Sequence, residues 1–304
     1  MLRLREDLLG RFQELIYGQS ALSFSPSRLV NLENGINQRI RERQLCSYEE
    51  YFTLLQKDID EFDALLEMIT TKETHFFRLP AQFEALARKV VPAVEEELSF
   101  EARRVMVEEG GTWPWRIPLR AWSAGCSTGE EAYSIAMTVM NSLKFPRAWK
   151  TEILATDISR KALTTASLGF YEENAIKRVP RHYRKHYLKL VSGGAVVKSE
   201  VVDKVDFRLF NLKGLEPENV STLTALDDTR ENVSFKERFD IIFCRNVMIY
   251  FDYPAQQRMV DRIYAGLKPG GFLFTGDAEL LNIYRHGFEN CEFEGAYYYR
   301  KPKQ

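Results

Sequence analysis

Two carboxylates, Glu130 and Glu131, follow directly on a small-residue turn in AWSAGCSTGEEAYSIAM (residues 121–137), where Gly125 and Gly129 frame the turn. A glycine turn that opens a helix suits phosphate, because free backbone N–H groups and the helix dipole attract anions. Paired acids at that helix start would repel a phosphate, so the turn fits a ligand with hydroxyls or positive charge. Asp157 closes the strand-like TEILAT (151–156), where it can accept hydrogen bonds from both ribose hydroxyls. Arg245 and Asn246 close FDIIFC within the stretch FCRNVMIYFD (243–252). Ligands of open α/β sheets bind beyond the carboxyl ends of the strands, at the topological switch, and all three features fall at such ends. The turn together with a strand-terminal acid implies an adenosine-containing ligand. GxGxxG is absent, and Asp157 lies 28 residues past Gly129, longer than the ~20 of the dinucleotide fingerprint. S-adenosylmethionine fits this pattern better than a dinucleotide.

The elements that must position these residues fall into two parts. From residue 1 to about 95 apolar residues recur at helical spacing, as in Leu8, Phe12, Leu15 and Ile16, then Leu29, Leu32, Ile36 and Ile40, then Phe52, Leu55, Phe62 and Leu65. Ser47 before Glu49 and Glu50 reads as an N-cap. After the turn-rich EEGGTWPWRIP (108–118) strands and helices alternate. Strands are expected at 119–124, 151–156, 203–209, 239–244 and 271–276, with helices at about 129–143, 159–168 and 254–267. This is the pattern of a parallel α/β sheet with right-handed crossovers. The expected division is a helical domain and linker over 1–95 and an α/β domain over 96–304. Residues 171–205 interrupt the alternation with a basic stretch and a hairpin around Gly193–Gly194, an inserted subdomain. FENCEFEGAYYYRK reads as a terminal hairpin, and the polar 212–238 as a surface loop.

Composition narrows the class. The chain has 304 residues, 45% of them apolar, and a net charge of −1, so no global basic surplus points to nucleic acid. No apolar run approaches the ~20 residues of a membrane span, and MLRLREDLLGRF lacks a signal-peptide core. Cys46, Cys126, Cys244 and Cys291 are scattered without a CxxC pair, which favours free thiols in a reducing cytoplasm over disulfides or zinc. No metal site is expected.

The ordered segments ITTKETHFFR (69–78), WSAGCSTGEEAYSIAM, ILATDIS, FNL (210–212), FCRNVMIYFD and LKPGGFLFTGD together resemble the chemotaxis-receptor glutamate O-methyltransferases, the CheR family, over nearly the whole chain. The resemblance implies a Rossmann-like class I S-adenosylmethionine-dependent methyltransferase sheet, an N-terminal all-α domain and a small inserted β-subdomain. It also implies methyl transfer to receptor glutamates, giving methyl esters and S-adenosylhomocysteine. The implied cofactor contacts are Thr74 and Arg78 of the TT…FFR segment, with Arg78 gripping the cofactor carboxylate. Lys72 stands where the family carries asparagine, a departure at a contact position. An acid of the pair, Glu130 ahead of Glu131, is expected to help hold the cofactor. Asp157 would bind the ribose, Asn211 and Leu212 would frame the adenine, and Arg245 and Asn246 would line the far side. Tyr250 is expected near the reacting methyl, and Tyr250 and Arg78 are the expected catalytic residues. The implied partners are the cytoplasmic helices of methyl-accepting receptors, met by a monomeric enzyme.

The chemistry needs no general base, because a glutamate of ordinary pKa near 4.3 is already ionised at neutral pH. His75 is therefore read as packing or solvent-facing, and Tyr250 as a group that positions the incoming carboxylate. Phe76 and Phe77 could both be core, and one of them is expected there. Cys126 and Cys244 are read as small fillers. KRVPRHYRKHYLK (177–189) carries basic residues and no acid, so it could meet the glutamates of a receptor. Arg39, Arg41 and Arg43 could face the same acidic bundle. Two rivals stand beside this reading: methylation of another substrate, and a non-catalytic module that binds the cofactor or a receptor. The D/N-P-P-Y/F motif of amino-group methyltransferases is absent.

Overall fold

The computed structural model describes residues 4–70, 73–108, 116–214, 224–225 and 235–303. Four helices open the chain: α1 (Glu6–Ser20), α2 (Pro26–Glu42), α3 (Tyr48–Leu55) and α4 (Ile59–Ile69). Their starts follow from local chemistry. Ser47 accepts a hydrogen bond from Glu50 N and Asp58 from Glu61 N, and Pro26 occupies the first turn of α2, where its missing N–H costs nothing. Leu8, Phe12, Ile16, Leu32, Ile36 and Leu65 bury the shared face.

One acid lies inside this bundle. Glu61 is 0% exposed; it takes Arg39 Nε at 2.7 Å and Nη2 at 2.6 Å, Tyr51 Oη at 3.1 Å and also Arg43 Nε. Burial pushes the Glu61 carboxyl up, but the Arg39 and Arg43 hydrogen bonds outweigh it and hold the group below its ordinary range. The expected basic run on α2 therefore does not form as a unit, since Arg39 and Arg43 are committed to Glu61 and only Arg41 is left outward.

Helix α5 (Pro80–Ala85) continues through a π turn at Leu86–Val90 into α6 (Val91–Glu108). Phe83, Leu86, Val90 and Val91 pack with Leu119, Ile153 and Phe243 of the sheet. A boundary at residue 95 would cut α6. Ile69 belongs to a core that joins the first four helices to one face of the sheet, with Trp122, Ile242 and Leu273, and Phe76 to the core on the other face, with Leu119, Ile153 and Phe243.

The chain then runs β1 (Ile117–Ala124), α7 (Glu130–Ser142), β2 (Trp149–Asp157), α8 (Arg160–Leu168), β3 (Phe170–Glu172), α9 (Glu173–Ile176), α10 (Arg181–Tyr187), β4 (Leu188–Val191), β5 (Gly194–Val197), α11 (Ser199–Val202), β6 (Val205–Leu209), β7 (Thr224–Ala225), β8 (Phe239–Cys244), α12 (Tyr253–Gly266), β9 (Leu267–Thr275), β10 (Glu289–Phe293) and β11 (Ala296–Arg300). The main sheet has the order β10-β11-β9-β8-β1-β2-β6-β7. Strands β6, β2, β1, β8 and β9 are parallel, and β7, β11 and β10 are antiparallel additions. Every residue of β8 is buried, as expected of a parallel strand covered on both faces. The chain builds outward from β1 to β2 and β6, then returns to β8 on its other side, so the switch crevice lies at the carboxyl end of β1.

Strand limits shift by a few residues from expectation, most at β9, and the inserted hairpin gains a strand. Strand β9 begins at Leu267, not 271, because Lys268-Pro269-Gly270-Gly271 forms an irregular lead-in where the pairing with β8 shifts register. The inserted hairpin is a three-stranded sheet, β3-β5-β4, in which Gly194 lies so close to Tyr171 O that a Cβ would meet it at 2.1 Å. Helix α10 buries Tyr183 and turns Arg181 and Lys185 outward. The loop expected over 212–238 falls largely outside the described residues.

Candidate functional site

Beyond Ala124 the chain folds back on the end of β2, with Gly125 N and Cys126 N both donating to Thr156 O at 2.8 and 2.9 Å. Gly125 has φ +81° and Gly129 φ +94°, a left-handed backbone that glycine adopts without strain. A Cβ on Gly125 would lie 2.4 Å from Val247 Cγ2, and one on Gly129 would lie 2.7 Å from Ala166 Cβ. The two glycines thus let the turn press against the loop after β8 and against α8. That turn, the ends of β2, β6 and β8, and residues from the helical bundle enclose a cleft of about 950 Å³, its open mouth included.

Asp157 forms one wall. Its Oδ2 accepts from Ser127 N at 2.8 Å and its Oδ1 from Ser159 N at 2.9 Å. Phe210, Asn211 and Leu212 follow β6 on the same wall. Phe210 N donates to Asp157 O at 2.9 Å, and Asn211 Nδ2 reaches Gln19 O at 2.8 Å.

Arg245 forms the opposite wall and is 4% exposed. Its Nε donates to Glu131 Oε2 at 2.8 Å, and its Nη1 to Arg78 O at 2.6 Å and Gln82 Oε1 at 3.0 Å. Its guanidinium also lies 5.2 Å from the ring centres of Phe83 and Phe243. Ser123 Oγ completes the Glu131 carboxylate at 2.7 Å. The expected acid was Glu130; the acid on the cleft wall is Glu131. Neighbouring helix residues point about 100° apart, and Glu130 turns to Thr128 Oγ1 at 2.7 Å, where burial pushes its carboxyl up.

Thr74, Arg78, Asn246 and Tyr250 also line the cleft. Arg78 Nη1 donates to Glu73 O at 2.6 Å. Tyr250 carries the Arg28 guanidinium 4.6 Å from its ring centre, and its carbonyl accepts from Ser23 N at 2.8 Å. Lys72 lies outside the described residues. His75 Nδ1 sits 3.2 Å from Phe76 O. Both Phe76 and Phe77 are core: Phe76 meets Tyr171 edge-on and Phe77 stacks on Tyr183. Burial pushes the Cys126 and Cys244 thiols well above their ordinary range, as inert fillers require.

Sequence reasoning missed the part of the wall built by the α1–α2 connection. Ser20 and Leu22 line the cleft, Leu22 bridges Phe251 in antiparallel fashion, and Tyr17 Oη donates to Asp252 at 2.8 Å. These contacts join residues more than 190 positions apart, so no local pattern announces them.

The cleft offers hydroxyl acceptors at Asp157, a guanidinium at Arg78, and apolar surface at Phe210, Leu212 and Val247. Ser127 Oγ and Arg245 Nη2 are buried on its walls without a hydrogen-bond partner among the described residues. Buried polar atoms without partners are costly. A nucleoside joined to an amino acid, as in S-adenosylmethionine, matches that set.

Two family models match the chain: "CheR methyltransferase, all-alpha domain" over residues 7–70 and "CheR methyltransferase, SAM binding domain" over residues 72–296. The chain is 28% identical over 304 residues to a chemotaxis protein methyltransferase of Borreliella burgdorferi, spanning 99% of this chain and 96% of that one. It is 33% identical over 280 residues to chemotaxis protein methyltransferase 2 of Pseudomonas aeruginosa, spanning 90% and 86%. It is 31% identical over 276 residues to the chemotaxis protein methyltransferase of Escherichia coli, spanning 88% and 82%.

Proposed function

The chain belongs to the CheR methyltransferase family, and on that premise we propose how its cleft carries out the methylation of receptor glutamates. The protein is an S-adenosylmethionine-dependent protein-glutamate O-methyltransferase. When bound, the cofactor supplies a methyl group on a sulfonium and departs as S-adenosylhomocysteine.

Asp157 accepts the ribose hydroxyls, and Phe210, Asn211 and Leu212 flank the adenine. Arg78 grips the amino-acid carboxylate in two-pronged fashion, with Thr74 beside it. Glu131, fixed by Arg245 and Ser123, carries the negative charge that suits the amino group of the methionine part. Lys72 replaces the family's asparagine at a contact position. Asn246 closes the far side next to Tyr250, whose hydroxyl orients the incoming glutamate carboxylate for in-line attack. No residue need remove a proton, so the chain contributes proximity, orientation and exclusion of water. The α1–α2 connection covering the cleft supports the last of these. His75 has no part in this reading.

Docking of the receptor rests on charge. The target helices are acidic at their methylation sites, and α10 with the three-stranded sheet turns basic side chains outward. We assign the enzyme to the cytoplasm as a single chain working on the cytoplasmic helices of its receptors; no helix among the described residues is long and apolar enough to cross a membrane.

The convergence of Asp157, Arg78, Glu131–Arg245 and Tyr250 on one cleft carries the reading. Incubation with methyl-labelled cofactor and receptor cytoplasmic fragments should label the fragments, and mild base should release the label as methanol. Base-stable label would point to another acceptor atom. Cofactor binding without transfer would leave a regulatory module.

A further inference from the structure

Just beyond β9, the carboxylate of Glu279 is 3% exposed and pairs with no cation among the described residues. It is filled by backbone instead. Oε2 accepts from Asn246 N at 2.5 Å and Gly276 N at 3.0 Å, and Oε1 accepts from Ile249 N at 3.2 Å. These donors come from the carboxyl ends of β8 and β9, two neighbouring parallel strands whose ladder stops there. Asn246 takes a left-handed φ of +59°, and Met248–Tyr250 forms a single 3₁₀ turn. Such irregular backbone leaves N–H groups that neither strand nor helix can satisfy. A carboxylate can take them, since it accepts on both oxygens and donates nothing. Space is matched as well: a Cβ on Gly276 would lie 2.6 Å from Glu279 Oε2 and 3.1 Å from Asn246 N.

Burial pushes the Glu279 carboxyl up, while the N–H groups of Asn246, Gly276, Ile249 and Val247 oppose that shift. The segment that this carboxyl group holds is the one that carries Asn246 and Val247 on the cleft wall and ends in Tyr250.

We infer that Glu279 is a positioning residue for methyl transfer: its carboxylate clamps the backbone of residues 246–249 and so fixes the Tyr250 hydroxyl against the cofactor. This rests on the role of Tyr250 given above. Glu279 touches neither the cleft nor a ligand itself. Glu279→Gln keeps the shape but turns an amide NH₂ toward backbone N–H groups, so the clamp opens while the core stays filled.

The test is a double-mutant cycle with Glu279→Gln and Tyr250→Phe, read as kcat and KM on receptor fragments. Each single variant should lower kcat roughly tenfold to a hundredfold, the range expected when a hydrogen bond to a charged group is lost. KM for the receptor should hold, and the double variant should be no slower than the worse single. Amide exchange at Asn246 and Ile249 should rise in Glu279→Gln. Glu279→Asp keeps the charge but withdraws it by one methylene, and should fall between wild type and Glu279→Gln. If Tyr250→Phe turns over normally, the assignment of Tyr250 fails. If Tyr250→Phe is slow but Glu279→Gln is not, or if the two effects multiply, the clamp does not act through Tyr250 and the inference is wrong. A loss of kcat that tracks melting in both Glu279 variants would overturn it too.

Discussion

Two buried ion clusters differ in what they leave over. In the helical bundle, Glu61 is met by Arg39, Arg43 and Tyr51, and none of these groups has a buried polar atom without a partner. In the α/β part, Glu131 is met by Arg245 and Ser123, yet Arg245 Nη2 and the nearby Ser127 Oγ remain unpaired. The first cluster closes on itself and fastens α2 to α4. The second joins the loop after β8 to α7 and leaves two buried polar atoms without a partner among the described residues. Residual hydrogen-bonding capacity, rather than burial or charge, is what distinguishes these two clusters.

The contrast is tested hardest at Arg245. Arg245→Met removes one partner of a buried pair, a change that costs ~3–5 kcal/mol in typical cases. Chemical denaturation should show that loss, and S-adenosylhomocysteine affinity by calorimetry should fall with it. A variant as stable as wild type would mean that the pair is not a fastening at all. Asp157→Ala should cost ~1.5–3 kcal/mol of S-adenosylhomocysteine affinity through lost charge-assisted bonds, and some stability as well, because it also frees Ser127 N and Ser159 N. Unchanged affinity would remove Asp157 from the ribose.

Glu61→Gln should act on the fold alone, lowering stability by ~1–3 kcal/mol and leaving cofactor affinity untouched. It also carries a pH signature. The folded Glu61 carboxyl is held below its ordinary value of 4.5, so its contribution is present above that pH and is lost as pH falls through the lower folded value. Wild type should therefore lose stability more steeply than Glu61→Gln on acidification below about 4.5. Parallel acid limbs for the two proteins would contradict this.

The strand ends were readable because a polar residue closing an apolar run is a local signal: Asp157 after TEILAT and Arg245–Asn246 after FDIIFC stand where expected. Which acid of the Glu130–Glu131 pair faces the ligand was not, since helix phase is set by packing of α7 on the sheet. Phe76 and Phe77 both enter the core, Phe77 with a left-handed φ of +53° that no residue pattern announces. The start of β9 hid behind Pro269 and Gly270, which read as a stop. Glu279 and the α1–α2 connection were invisible for a different reason. Apart from Gly276, the partners of Glu279 lie 30 or more residues away, and those of the connection about 230, and no periodicity encodes such contacts.

The smallest effect is expected where charge is open to solvent. Among the described residues, Arg181, Arg184 and Lys185 have no carboxylate partner, whereas Arg39 and Arg43 are spent on Glu61. The same contrast then assigns receptor attraction to α10 and not to the middle of α2. Reversing Arg181, Arg184 and Lys185 to Glu should lower kcat/KM on intact receptor several-fold at low ionic strength, about 1 kcal/mol in all. The same change should flatten the dependence on salt, because the encounter no longer gains from opposite charge. Cofactor affinity should not move, since none of the three lines the cleft. Arg41→Glu, on the outward side of α2, serves as the control and should change kcat/KM less than the triple variant does. If the triple variant methylates receptor at the wild-type rate in low salt, open charge on α10 is only a solvated face.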